Sequence, residues 1–192
     1  YEKALTIYQA LDDQEKAAQT LSDLASTQLE AGLLEEALST YEQALAAMEA
    51  CDDRAGIAKT QNDMASVYLS QQQWAPALAL LEQALPTLRA LGDKRWVAIA
   101  LNNVAGAYHG MGDWRQAVDI YEQALEIRRE LDDQEGEAKT LRNLGIIYAR
   151  QGNRNRAKMY LNKALVIAKR LKSRELVSVI QKSISRMPRG RR

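Results

Sequence analysis

Five stretches spaced forty residues apart decide the fold: YEKAL at 1–5, YEQAL at 41–45, LEQAL at 81–85, YEQAL at 121–125 and LNKAL at 161–165. Written in rows of 40, the 192 residues align without a gap. Ala4, Ala44, Ala84, Ala124 and Ala164 fall in one column, and Leu5, Leu45, Leu85, Leu125 and Leu165 in the next. Asp13, Asp53, Asp93 and Asp133 share a third column, broken by Ser173. A fixed period of this length marks stacked copies of one supersecondary unit.

Working outward from these anchors, each row holds two stretches of helical period. Val97, Leu101, Val104, Ala105 and Tyr108 form one apolar face. Ala117, Ile120, Tyr121, Ala124, Leu125 and Ile127 form the next. Between them Gly112-Asp113 reads as a helix stop followed by an N-cap. Gly32 and Gly152 repeat the stop, with Gln72 as the departure. The other connection is an acidic turn: Asp12-Asp13, Asp52-Asp53, Gly92-Asp93 and Asp132-Asp133. Its second Asp is placed to cap the following helix, where a negative charge also suits the helix N-terminus. The pattern predicts an all-α chain read as one domain over residues 1–192. Residues 1–11 form the second helix of a truncated repeat. Four helix pairs follow at 14–50, 54–90, 94–130 and 134–171, and a capping helix at 174–187. Pro76 falls in a first turn, where proline is tolerated. Pro86 falls in a helix interior and is expected to kink it.

These residues carry a family resemblance. Leu101, Val104, Ala105, Tyr108, Gly112, Trp114, Ala117, Tyr121, Ala124 and Leu125 resemble the tetratricopeptide repeat signature. Leu141, Leu144, Gly145, Tyr148, Gly152, Ala157, Leu161, Ala164 and Leu165 repeat it, and the first two rows carry it with Gln28 and Gln61 as departures. The period, longer than the usual 34, is similar to that of kinesin light chains, LGN/Pins adaptors and bacterial signalling-ATPase sensors. The resemblance implies a right-handed α-solenoid of stacked helix hairpins. The packing logic agrees: small residues at Ala25, Ala65, Ala105 and Gly145 let paired helices approach closely.

Composition excludes several functions. One cysteine, Cys51, cannot form an internal disulfide, and one histidine, His109, leaves no His/Cys metal set. No glycine-rich phosphate loop is present, so no cofactor is expected. His109 is the sole candidate base, without a visible partner; no catalytic residue is assigned and the chain reads as a non-enzyme. Cys51 stands in a leucine column and is expected in the core. Trp74 and Trp114 share a column and are expected to pack; Trp96 stands off-column. No apolar run reaches the roughly 20 residues of a membrane span, and no secretory signal is visible. The expected location is cytoplasmic, with the opening Tyr1 suggesting an excised piece.

A solenoid functions through its extended concave surface. The resemblance implies that the first helix of each pair lines it, with Ser22-Asp23, Asn62-Asp63, Asn102-Asn103 and Arg142-Asn143 pointing inward. The expected ligand-binding residues are Asn62, Asn102, Asn103, His109, Lys139, Arg142, Asn143 and Arg150. An asparagine offers a donor and an acceptor and so can hold both groups of one peptide unit. The groove runs from acidic (Asp23, Glu30, Asp63) to basic (Lys139, Arg142, Arg150). The whole chain follows the same gradient: residues 1–50 carry 2 basic and 10 acidic side chains, residues 151–192 carry 13 and 1. The expected function is a scaffold binding a peptide or protein segment. The alternatives are a sensor segment of a larger signalling ATPase or transcription regulator, and self-association or polyanion binding through the basic end. Only Tyr160 is interleaved with those basic residues, so nucleic acid is disfavoured.

Overall fold

The computed structural model describes residues 1–11 and 13–187, with Glu2 and Gln9 described by backbone alone. Asp12 of the first acidic turn and Pro188, Arg189, Arg191 and Arg192 of the basic end lie outside the described residues. The described residues form ten helices and no strand: α1 (Glu2–Ala10), α2 (Gln14–Glu30), α3 (Leu34–Ala50), α4 (Arg54–Ser70), α5 (Trp74–Ala90), α6 (Lys94–Met111), α7 (Trp114–Glu130), α8 (Gln134–Arg150), α9 (Arg154–Arg170) and α10 (Arg174–Ser185).

Turn chemistry punctuates them. Asp13, Asp53, Asp93 and Asp133 each accept a hydrogen bond from the backbone N–H three residues on, at 2.8–3.2 Å. Asp113, Asn153 and Ser173 do the same, satisfying N–H groups that a helix start leaves orphaned. Gly32, Gly112 and Gly152 take the left-handed conformation that ends a helix, and Gln72 in their column is forced to φ +59°. Asp52, Asp132 and Lys172 are held at φ +50 to +55° in the other connection, where Gly92 stands in row three.

Helices pack chiefly with their sequence neighbours. The columns Ala37, Ala77, Ala117, Ala157 and Ala44, Ala84, Ala124, Ala164 are wholly buried at these contacts. Tyr41, Leu81, Tyr121 and Leu161 fill the space beside them, and Leu161 lies against Gly145, where a Cβ would overlap it. The Trp74 ring likewise covers Gly110. α5 runs through Pro86 without interruption, and that residue is exposed.

Two details depart from the column pattern. Cys51 is exposed and not in the core. The reason is that its column lies at helix C-caps, where Leu11, Leu91, Leu131 and Leu171 are exposed as well. Arg128 is buried in a column otherwise filled by Tyr8, Met48, Leu88 and Ala168. Its Nη1 donates to Asp133 Oδ2 at 2.6 Å, over Gly136, whose missing Cβ leaves room for the guanidinium.

The curvature follows from which helices touch twice. α2 meets α4, α4 meets α6 and α8 meets α10 across a repeat. The second helices α3, α5, α7 and α9 lack comparable mutual contact. The row of first helices is therefore the shorter side, and the solenoid bends around it.

Candidate functional site

The inner face is built from α2, α4, α6, α8 and α10, and its polar side chains bridge from each helix to the next. Ser22 and Thr60 share a hydrogen bond of 3.1 Å between α2 and α4. Asn103 of α6 donates from Nδ2 to Asn62 Oδ1 at 3.0 Å and to Ser66 Oγ at 3.1 Å on α4. Thr140 Oγ1 of α8 lies 3.4 Å from Asn102 Oδ1 on α6, its proton shared with the nearer Gly136 carbonyl at 3.0 Å. Arg142 of α8 donates from Nε to Ser183 Oγ at 2.9 Å on α10. These bonds span 37 to 41 residues, one period of the repeat.

The eight candidate residues divide accordingly. Asn62 is 0% exposed; its amide donates to Asp63 and accepts from Asn103, so its side chain serves between helices and presents nothing to the groove. Asn103 is partly exposed but has spent its amide donors on α4, leaving its oxygen as an acceptor. Asn102 lines an open cavity, with its oxygen 3.4 Å from the Thr140 hydroxyl. That cavity, of ≈ 410 Å³, also brings together Lys139, Arg142 and Asn143, with Glu135 and Glu175 on its rim. Lys139 is paired with Glu135 at 2.6 Å on an exposed surface, where such a pair contributes about 0–1 kcal/mol. Asn143 accepts weakly from Arg142 at 3.5 Å and is hydrogen-bonded to the buried Tyr121. His109 sits apart from these asparagines, half-buried at the end of α6, its Nε2 buried without a partner. Burial, and then the charge of Arg150, hold its imidazole below the usual histidine pKa and keep it neutral.

The acidic end is also real in space. Tyr41, bonded to Ser26 Oγ at 2.9 Å, has its phenol pushed up to about 12 by burial and, further, by the charges of Asp63, Asp23 and Glu30. Burial raises the Asp63 carboxyl to about 6, against the opposing Asn62 hydrogen bond. The sequence did not single out the interhelical bridges or Arg186, which joins Arg142 and Arg150 around a second cavity. A signal for the bridges was present: Ser, Thr and Asn recur in the same columns of adjacent rows. Among the described residues no group of three His, Cys, Asp or Glu gathers as a metal site. No helix among them is long and apolar enough to cross a membrane.

The sequence matches the family model described as tetratricopeptide repeat over residues 1–50, 31–90, 56–130 and 96–170. No curated protein sequence matches the chain. Several solved structures share the fold. BtubC (BKLC) from P. vanneervenii is 23% identical, with TM-score 0.71 over 93% of this chain and 69% of its own. The tetratricopeptide repeat sensor-bearing STAND protein from Pyrococcus horikoshii is 20% identical, with TM-score 0.76 over 89% of this chain and 26% of its own. A Rap protein complexed with Competence and Sporulation Factor is 20% identical, with TM-score 0.81 over 88% of this chain and 46% of its own. The chain thus spans less than half the length of the latter two, and identities this low establish the shared fold.

Proposed function

The chain belongs to the tetratricopeptide repeat family, and from that premise we propose that it is a non-enzymatic scaffold holding a peptide or protein segment on its inner face. The observation that supports this most is the pair Asn102 and Asn103 on the inner face. An asparagine side chain offers a donor and an acceptor, as an extended backbone requires. Asn103 is fixed beforehand by two bonds to α4, and Asn102 stands beside Thr140 of α8 at 3.4 Å. A preordered receptor loses little conformational freedom on binding, so more of the contact energy appears as affinity. Lys139, Arg142 and Arg150 bias orientation, drawing the acidic part of a ligand toward α8 while Asp23, Glu30 and Asp63 repel it from α2–α4. The likeness to a Rap protein complexed with Competence and Sporulation Factor is in keeping with this reading.

The test compares proteins captured from a nuclease-treated lysate by three baits. They are the wild type, the groove variant Asn102→Ala/Lys139→Glu, and the outer-face variant Gln123→Ala/Lys163→Glu with the same change in charge. A partner kept by the wild type and the outer-face variant but lost by the groove variant supports the reading. A partner lost by the outer-face variant and kept by the groove variant overturns it. A second reading, a sensor segment within a larger signalling ATPase, rests on the likeness to the Pyrococcus STAND protein's sensor.

A further inference from the structure

Three guanidinium groups converge on one cavity at the α10 end of the inner face. Arg142 stands mid-helix in α8, Arg150 ends that helix, and Arg186 is the C-cap of α10. With Ser183, Ile146, Ala149 and Met187 they line an open space of ≈ 400 Å³. No carboxylate among the described residues lines it, and none of the three arginines forms an ion pair among them. The adjoining cavity differs in this respect, because Lys139 there is answered by Glu135 and Glu175 stands nearby.

A cation at a helix C-terminus is favourable by itself, which accounts for Arg150 and Arg186 one at a time. It does not account for their sharing a cavity with Arg142, whose Nε donates to Ser183 at 2.9 Å. Burial and the nearby Arg186 charge both disfavour the charged form of Arg142. Arg142 is partly buried while Arg150 and Arg186 are exposed, and an anion entering among the three relieves the repulsion between their like charges. Ile146, Ala149 and Met187 remove water from one side and strengthen any charge pair formed there. The guanidinium fork matches the geometry of carboxylate and phosphoryl oxygens. We infer that this cavity is an anion subsite, taking a carboxylate or phosphoryl group carried by the protein segment held on the inner face. It rests on the groove reading for its ligand, and on Arg142, Arg150 and Arg186 for its chemistry.

The test uses inorganic phosphate and acetate as separate probes on the isolated chain at constant ionic strength. The ¹⁵N–¹H signals of the arginine Nε groups are followed during titration. Saturable shifts of the Arg142, Arg150 and Arg186 signals are expected. Affinity for the ion should fall about tenfold in Arg150→Gln and in Arg186→Gln, the scale of one lost charge-assisted contact. It should be unchanged in Arg154→Gln, an exposed arginine outside the cavity. Preference for phosphate assigns a phosphoryl ligand, and parity with acetate assigns a carboxylate. Shifts that never saturate, or an equal loss in Arg154→Gln, overturn the inference. Because the probe is an inorganic ion, a groove that captures no partner leaves this result untouched. Neither ion binding while Asn102→Ala/Lys139→Glu loses its partner removes the subsite alone.

Discussion

The repeat supplies its own control for one buried charge, and Asp133→Asn puts a number on it. Asparagine caps a helix about as well as aspartate, so the change leaves the start of α8 capped. What it removes is the carboxylate opposite Arg128, whose side chain is 9% exposed against 20% for Asp133. Breaking a fully buried pair costs about 3–5 kcal/mol, and the partial exposure of Asp133 lowers the expectation to about 2–3 kcal/mol. Asp53→Asn is the matched case, with Met48 in place of the arginine, and should stay within about 0.5 kcal/mol of wild type. Arg128→Met should be neutral or stabilising by about 1–4 kcal/mol, and in that background Asp133→Asn should become nearly silent. Urea unfolding followed by circular dichroism gives the total, but a stacked array can open in parts. Amide exchange in α7 and α8 is therefore the sharper assay, where about 2 kcal/mol speeds exchange roughly 30-fold. If Asp133→Asn costs no more than Asp53→Asn, or Arg128→Met destabilises by over about 1 kcal/mol, the pair is not the isolated buried charge described here.

Other consequences are open to the same instruments. Gly145→Ala drives a methyl into Leu161 and should cost about 1–3 kcal/mol in urea. Gln72→Gly relieves a left-handed glutamine and should stabilise by about 0.5–1 kcal/mol, the sign being read from the urea midpoint. Asp63, raised to about 6 from 3.8 by burial, binds its proton more tightly folded than unfolded. Its contribution therefore favours the fold at low pH and is lost as pH rises from about 4 to 6. Asp63→Asn should match wild type near pH 4 and exceed it at pH 7.5; equal unfolding midpoints at both pH values would sink the argument. Pro86→Ala restores a hydrogen bond and should stabilise α5 by about 1–3 kcal/mol; a lower thermal midpoint would show that the proline is accommodated by its surroundings.

The fold could be read from the sequence because each local choice recurs at the same offset. Asp133 caps α8 as Asp53 caps α4, and Ala117 is buried as Ala37 is. Column reasoning failed where the environment depends on position along the helix. Cys51 inherited a leucine column that lies at exposed C-caps, so apolar identity did not mean core. At the candidate site, the family resemblance pointed to the asparagines of the first helices, but neither it nor the columns could assign their bonding. Asn62 and Asn103 are adjacent in space through a 41-residue step that joins different columns, and that pairing depends on helix spacing. The Arg128 exception was visible as an arginine among Tyr8, Met48, Leu88 and Ala168, with Gly136 as its accommodating partner. Arg186 was hidden among a run of basic residues whose simplest reading is a solvated cap.

The bridges on the inner face set the mechanical character of the coil. Bonds along the concave edge act as tethers that oppose spreading of the groove, while the outer row carries one from Tyr160 on α9 to Glu122 on α7 at 3.4 Å. The tethers are unequal. α4 and α6 are tied by two bonds of 3.0 and 3.1 Å, whereas α6 and α8 share one of 3.4 Å and touch least among adjacent first helices. Compliance is therefore concentrated between α6 and α8, where Asn102 and Lys139 stand on opposite banks. A force that opens the groove would widen it there first, parting the acidic end from the basic end.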